Sequence, residues 1–158
     1  MTMRPLETLD LDRLAKTLRD LKLDGWLLFD FHGINPVAKR LLAIPGLATR
    51  RLFVWLPAVG KPVAVVHKIE LQGLKDFPGE VRPYAAWQDL HAAVGALVKG
   101  KRVAVEYSPN DAVPYLDRVP AGVIELLRTL GATVVSSSPL VSRFAAVWSP
   151  TELADHRK

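Results

Sequence analysis

The sequence predicts an α/β fold, a mixed β-sheet of about five or six strands flanked by helices. Three observations predict it. Segments with helical periodicity alternate with strand-like apolar runs along the chain. Two of those runs, RLFVWLP (51–57) and PVAVVH (62–67), are joined by the tight connection AVGK, which reads as a hairpin and therefore an antiparallel pair. Further on, KRVAVEY, AGVIELLRTLG and ATVVSS form a strand–helix–strand unit whose strands must run parallel. A sheet that contains both kinds of pair is mixed.

Each element has its own local reason. From Asp10, DLDRLAKTLRDLK places Leu11, Leu14, Ala15, Leu18 and Leu21 on one helical face. Its acids lie at the start and Arg19 and Lys22 near the end, as the helix dipole favours. DGWLLFD is apolar on both faces from Trp26 to Phe29 and reads as a buried strand. Asn35-Pro36 caps and starts a short helix through NPVAKRLLAI, with Pro45-Gly46 ending it. After the hairpin, KIELQGLKDF reads as a short helix, and Pro78-Gly79 turns the chain into a weak strand near VRPYA. A helix from about Trp87 to Val98 presents Leu90, Val94, Leu97 and Val98 on its apolar face. Gly131 closes the helix AGVIELLRTLG from the position after its C-cap, and Ser138-Pro139 starts another through LVSRFAAVW.

The chain ends on WSPTELADHRK, where Ser149, Pro150 and Glu152 form a capping box and Trp148 and Leu153 can form a hydrophobic staple. Only nine residues run from Pro150 to Lys158, fewer than the roughly 12–15 an isolated helix needs. Residues 149–158 therefore read as the first turns of a helix leading elsewhere, and residues 1–148 as the domain.

Composition restricts the function classes. The 158 residues are 49% hydrophobic and 23% charged, ordinary for a globular domain. With no cysteine, disulfides and thiolate chemistry are excluded, and a cytoplasmic setting is the natural reading. MTMRPLETLDLDRL carries acids and lacks a long apolar run, so it reads as neither signal peptide nor anchor. The net charge of +5 is dispersed, densest at KGKR (99–102), and aromatic residues do not interleave with it. Neither nucleic acid nor a membrane is an expected partner.

The motifs for chemistry are few. None of His32, His67, His91 and His156 pair at helical metal-ligand spacing, and GxGxxG, the P-loop and GxSxG are all absent. The acids Asp30, Glu70 and Glu106 each fall in or after a strand; three carboxylates converging at a sheet edge would suit a two-metal nuclease. FDFHGINP is the most site-like segment. Gly33 permits a tight excursion, while His32 and Asn35 supply polar groups beside a helix start. The plainer account of Asn35 and Gly33 is an N-cap and a turn.

Taken in order, DGWLLFDFHGINPVAKRLL, TRRLFVWLPAVGKPVAVVHKIE and VAVEYSPNDAVPYLDRVPAGVIELLRTLGATVVSSSPLVSRFAAVWSPTELADHRK resemble the N-terminal domain of the creatinase/prolidase metallopeptidases. These pita-bread enzymes include Xaa-Pro dipeptidases and aminopeptidase P. The resemblance implies a mixed sheet flanked by helices with a ribonuclease H-like motif, and a linker helix beginning at SPTELADHRK. It implies a non-catalytic role for this chain, since the family's acids and histidine hold two divalent metal ions (Mn, Co or Zn) in a following catalytic domain. No residue here carries over as a metal ligand or catalytic group, and no cofactor is expected in this chain. The expected partners are that C-terminal catalytic domain, a second subunit in a homodimer, and the peptide substrate of the parent hydrolase. By the same resemblance His32, Asn35 and His67 are the substrate-proximal candidates. Phe144, Trp148 and Leu153 are the candidates for interdomain or dimer contact.

Two further readings compete. One is a stand-alone α/β domain that binds a small ligand or partner without a catalytic half. The other is a nuclease or nucleic-acid binder built on the strand-end acids and the positive charge.

Overall fold

In a computed structural model, residues 4–43 and 49–145 are described. The terminal capping box, with Trp148 and Leu153, and the expected Pro45-Gly46 stop lie outside them. Helix α1 spans Leu11–Asp20, capped by the Asp10 carboxylate, which accepts from the Arg13 amide at 3.0 Å. Strand β1 (Gly25–Asp30) is buried along its whole length. Helix α2 (Pro36–Leu42) follows with Asn35 as its N-cap. The hairpin strands β2 (Leu52–Pro57) and β3 (Val63–His67) pair antiparallel, Val54 opposite Ala64. Then come β4 (Glu80–Tyr84), α3 (Trp87–Val98), β5 (Arg102–Val105), α4 (Ala121–Thr129) and β6 (Thr133–Ser136).

The six strands lie in the order β4-β3-β2-β1-β5-β6. Only β2 runs against its neighbours: β1–β5, β3–β4 and β5–β6 are parallel pairs, and β1–β2 and β2–β3 are antiparallel. The sheet is mixed, as the hairpin and the strand–helix–strand unit require. Because both its faces are covered, the central strands read as continuous apolar runs rather than alternating ones.

The alternation instead decides which face each residue serves. Trp26 and Leu28 of β1 pack with Val54 and Leu56 of β2 against Leu14 and Leu18 of α1 and Ala38 and Leu41 of α2. Leu27 and Phe29 point to the opposite face and join Phe53, Trp55 and Val65 beneath Leu90 and Val94 of α3 and Ile124 and Leu127 of α4. The two core layers on either side of one sheet make a three-layer sandwich.

Two segments differ from their sequence reading. Residues 68–74 form not an α-helix but a 3₁₀ stretch broken at Glu70, where φ is −111° and ψ is 15°. Only Leu74 of that segment is buried, so it has too little apolar face to hold an α-helix against the sheet. After Ser138-Pro139 the chain makes one helical turn (Ser138–Leu140) and then a π-type turn over Val141–Ala145. Gly131 behaves as expected: at φ +99° its amide donates to the Arg128 carbonyl, closing α4.

Gly79 has a packing reason of its own. A Cβ there would fall on the backbone carbonyl oxygen of Pro62, and that oxygen accepts from the Glu80 amide at 2.9 Å where β4 joins the sheet. Backbone on both sides cannot give way as a side chain could. Gly79→Ala is expected to destabilise the domain by about 1–3 kcal/mol, in the range of an overpacked core, seen as a lower urea midpoint.

Candidate functional site

The loop leaving β1 is built around two carboxylates. Asp30 accepts from the Gly33 amide on Oδ2 and from the Asn35 amide on Oδ1, both at 3.0 Å. This holds two consecutive left-handed residues, His32 at φ 57° and Gly33 at φ 75°. A histidine in that region is uncommon, and the Asp30 clamp is what fixes it. Asn35 then caps α2, its Oδ1 accepting from Val37 and Ala38.

The second carboxylate is Glu106, just past β5 and wholly buried. Its Oε2 accepts from Trp26 Nε1 and Ser137 Oγ, and its Oε1 from Asn35 Nδ2, each at 2.7 Å. Asn35 Nδ2 also donates to the Phe29 carbonyl at 2.9 Å. One side chain thus ties together β1, the start of α2, β5 and the segment after β6. Burial pushes the Glu106 carboxyl above its ordinary range, while the bonds from Ser137, Asn35 and Trp26 pull it back only in part.

Beside this loop, on the α3/α4 face, a pocket of about 450 Å³ opens above the carboxyl ends of β1, β3 and β4. Such crevices beyond strand ends are where open α/β sheets most often bind ligands. Its walls are Phe29, Phe31, Ile34, Tyr84 and Trp87, with Pro120 and Val123 from the start of α4. Its charged groups are Arg50 and Arg51, which precede the oppositely running β2. Tyr84 donates its hydroxyl to the Arg51 carbonyl at 2.5 Å, and burial pushes its phenol up. The His67 ring meets Tyr84 edge-on at 5.2 Å, and its Nδ1 accepts from the Ile69 amide at 3.2 Å. In the neutral imidazole the proton therefore sits on Nε2.

Of the three substrate-proximal candidates, His67 lines this pocket. His32 is exposed on the rim loop, edge-on to Phe31 at 4.3 Å. Asn35 is fully buried, its amide spent on Glu106, Phe29 and the α2 cap; it reaches the pocket only through the loop it holds. Phe144 is half-buried, packs on the α1/α2 core layer and carries the Arg13 guanidinium over its ring at 5.2 Å. The three strand-end acids do not converge. Asp30 and Glu106 are occupied as described, and Glu70 accepts from the Thr49 and Arg50 amides. Among the described residues no group of three His, Cys, Asp or Glu is placed to hold a metal ion. No described helix is long and apolar enough to cross a membrane.

Sequence reasoning missed Arg50, Arg51, Tyr84 and Trp87. Arg51 stands only as the first residue of the strand-like run RLFVWLP, and no local pattern singles out Arg50. The one available signal was that TRR stands at the open end of the hairpin, level with the ends of the parallel strands.

The six-stranded α/β sandwich has the fold of creatinase/prolidase N-terminal domains, and solved structures superpose on it. Dipeptidase PepE from Mycobacterium ulcerans matches with a TM-score of 0.67 at 21% identity, over 91% of this chain and 38% of that one. A proline dipeptidase from Streptococcus pneumoniae matches with a TM-score of 0.65 at 20% identity, over 88% and 98%. The creatinase/prolidase N-terminal domain of an X-Pro dipeptidase from Streptococcus pyogenes matches with a TM-score of 0.63 at 15% identity, over 86% and 98%. The chain thus spans well under half of the first of these proteins and nearly all of the other two chains. No family profile and no curated protein matches the sequence.

Proposed function

We propose that the chain is the non-catalytic N-terminal domain of a cytoplasmic Xaa-Pro dipeptidase or aminopeptidase P-type metallopeptidase. In this reading it helps form a homodimer and shapes peptide access to an active site in a C-terminal catalytic domain. Two divalent metal ions there would supply the hydrolytic chemistry. The observation that carries the reading is the fit of this chain to 98% of the Streptococcus pyogenes N-terminal domain, alongside 38% of a dipeptidase. His67 and the His32 loop, beside one open pocket, are the groups for the peptide side. Phe144, Trp148 and Leu153 are those for the catalytic domain or the second subunit.

The test is hydrolysis of Ala-Pro with manganese, cobalt or zinc. The 158-residue chain is expected to give none and to bind no stoichiometric metal, while the same chain joined to the catalytic domain encoded behind it hydrolyses the dipeptide. Turnover by the chain alone would sink the reading.

A second reading, a stand-alone ligand-binding domain, is favoured by the pocket itself, which residues of this chain line. The downstream reading frame separates the two: a stop codon directly after Lys158 supports the stand-alone domain.

A further inference from the structure

We infer that the pocket beside β1 and β4 binds an organic anion with a flat apolar body, its head group held by Arg50 and Arg51. The inference gives a ligand class to the site proposed above and rests on that reading for the site's role.

Charge is the first argument. The lining residues include Arg50 and Arg51 and no Asp or Glu. Among the described residues neither arginine has an ion pair: the Arg50 Nη1 donates only to Thr49 Oγ1, at 3.1 Å, and the Arg51 side chain has no hydrogen bond. Glu70, the acid beside them, has both carboxylate oxygens turned to the backbone amides of Thr49 and Arg50, so it offsets their charge only in part. Arginines near a surface are commonly paired with an acid; two unpaired at one pocket leave a head-group position for an oxyanion, which guanidinium groups match with two parallel bonds.

His67 agrees in sign. It has its Nδ1 occupied, so its neutral ring offers only an Nε2–H donor. Helix α3 begins at the pocket rim, at Trp87, but the Asp89 carboxylate in its first turn accepts from the Ala86 amide at 3.4 Å and offsets the positive end of that helix. The arginines therefore carry the field.

The walls specify the body. Phe31, Ile34 and Trp87 are 40%, 42% and 59% exposed, and covering them is favourable by roughly 25 cal/mol per Å². Phe29 and Tyr84 lie behind them. A small inorganic anion would leave this wall wet, and a cation of the same shape would meet two like charges. About 450 Å³ is the size of a small-molecule site.

The experiment is a calorimetric titration of the 158-residue chain with phenylacetate, phenyl phosphate, acetate and phenethylamine. Phenylacetate or phenyl phosphate is expected to bind at least about tenfold more tightly than acetate, a difference of about 1.4 kcal/mol. Whichever aromatic anion binds better identifies the head group as carboxylate or phosphate. Phenethylamine is expected to give no heat of binding. In Arg50→Met/Arg51→Met the aromatic anion should weaken by about tenfold or more with the circular dichroism spectrum unchanged, and Trp87→Ala should weaken it while leaving acetate unaffected. Equal binding of phenethylamine, or unchanged affinity in the double variant, would overturn the inference. Ala-Pro hydrolysis by the longer protein is a separate readout, so failure of ligand binding and failure of the peptidase reading are told apart.

Discussion

Glu106→Gln is expected to destabilise the domain by about 2–4 kcal/mol, although it changes neither the shape nor the volume of a fully buried side chain. The reason is donor arithmetic. Trp26 Nε1 can only donate, and Asn35 Nδ2 can only donate. A glutamine amide group turned toward Trp26 sets one N–H against another; turned the other way, it does the same with Asn35. Flipping the Asn35 amide is no escape, because its Oδ1 caps α2 and its Nδ2 also serves the Phe29 carbonyl. Only Ser137, whose hydroxyl can accept, adapts. Every arrangement therefore leaves a buried donor unmatched. The loss should appear as a lower urea midpoint, and a variant as stable as the parent would show that the carboxylate is not what the three donors require.

Asn35→Asp is expected to cost a similar amount near neutral pH and, unlike Glu106→Gln, to recover much of it in acid. The substitution puts a second carboxyl oxygen 2.7 Å from Glu106 Oε1, where the amide stood. Two like charges cannot share a buried site, so the folded state keeps a proton on the pair that the unfolded state releases in the ordinary carboxylate range. The folded form then binds more protons, and stability falls as pH rises, by at most about 1.4 kcal/mol per unit for one proton. The stability is fully present below the unfolded carboxyl value and is lost as pH climbs through the raised folded one. The parent should follow the same sign more weakly, because Glu106 alone is already held above its ordinary 4.5. Urea unfolding of the three proteins between about pH 4.5 and 8 separates them, with the steepest decline in Asn35→Asp. A flat profile for that variant would mean the two carboxyls are not in contact.

These two positions also show how the sequence and the fold divide the information. Asn35-Pro36 announced an N-cap and a helix start, and that local role holds. Glu106 within VAVEY read as one of three acids near strand ends, each a candidate to face a metal. Its partners lie 80, 71 and 31 residues away, and no local pattern relates residues at such distances. The pocket was half-legible in the same way. FDFHGINP and the end of VVH could be singled out because His32 and His67 follow strands, where loops that carry function often sit. Arg50, Arg51, Tyr84 and Trp87 could not, since their relation to that loop exists only once β2 is laid against β1 and α3 is set at the end of β4.

What the sequence determined by itself was the kind and order of the elements and the presence of both pair types in one sheet. Those follow from periodicity, caps and connection length, all of which act within a few residues. It also carried the resemblance to creatinase/prolidase N-terminal domains with which the fold agrees. Tertiary structure decided the rest. It set which end of the sheet carries a crevice, turned Glu106 from a candidate ligand into the buried tie of four segments, and brought to an aromatic pocket two arginines that have no ion pair among the described residues. The physical reason is range: backbone preference and amphipathic period are short-range quantities, whereas desolvation, hydrogen-bond matching and charge pairing depend on which distant residues packing brings together.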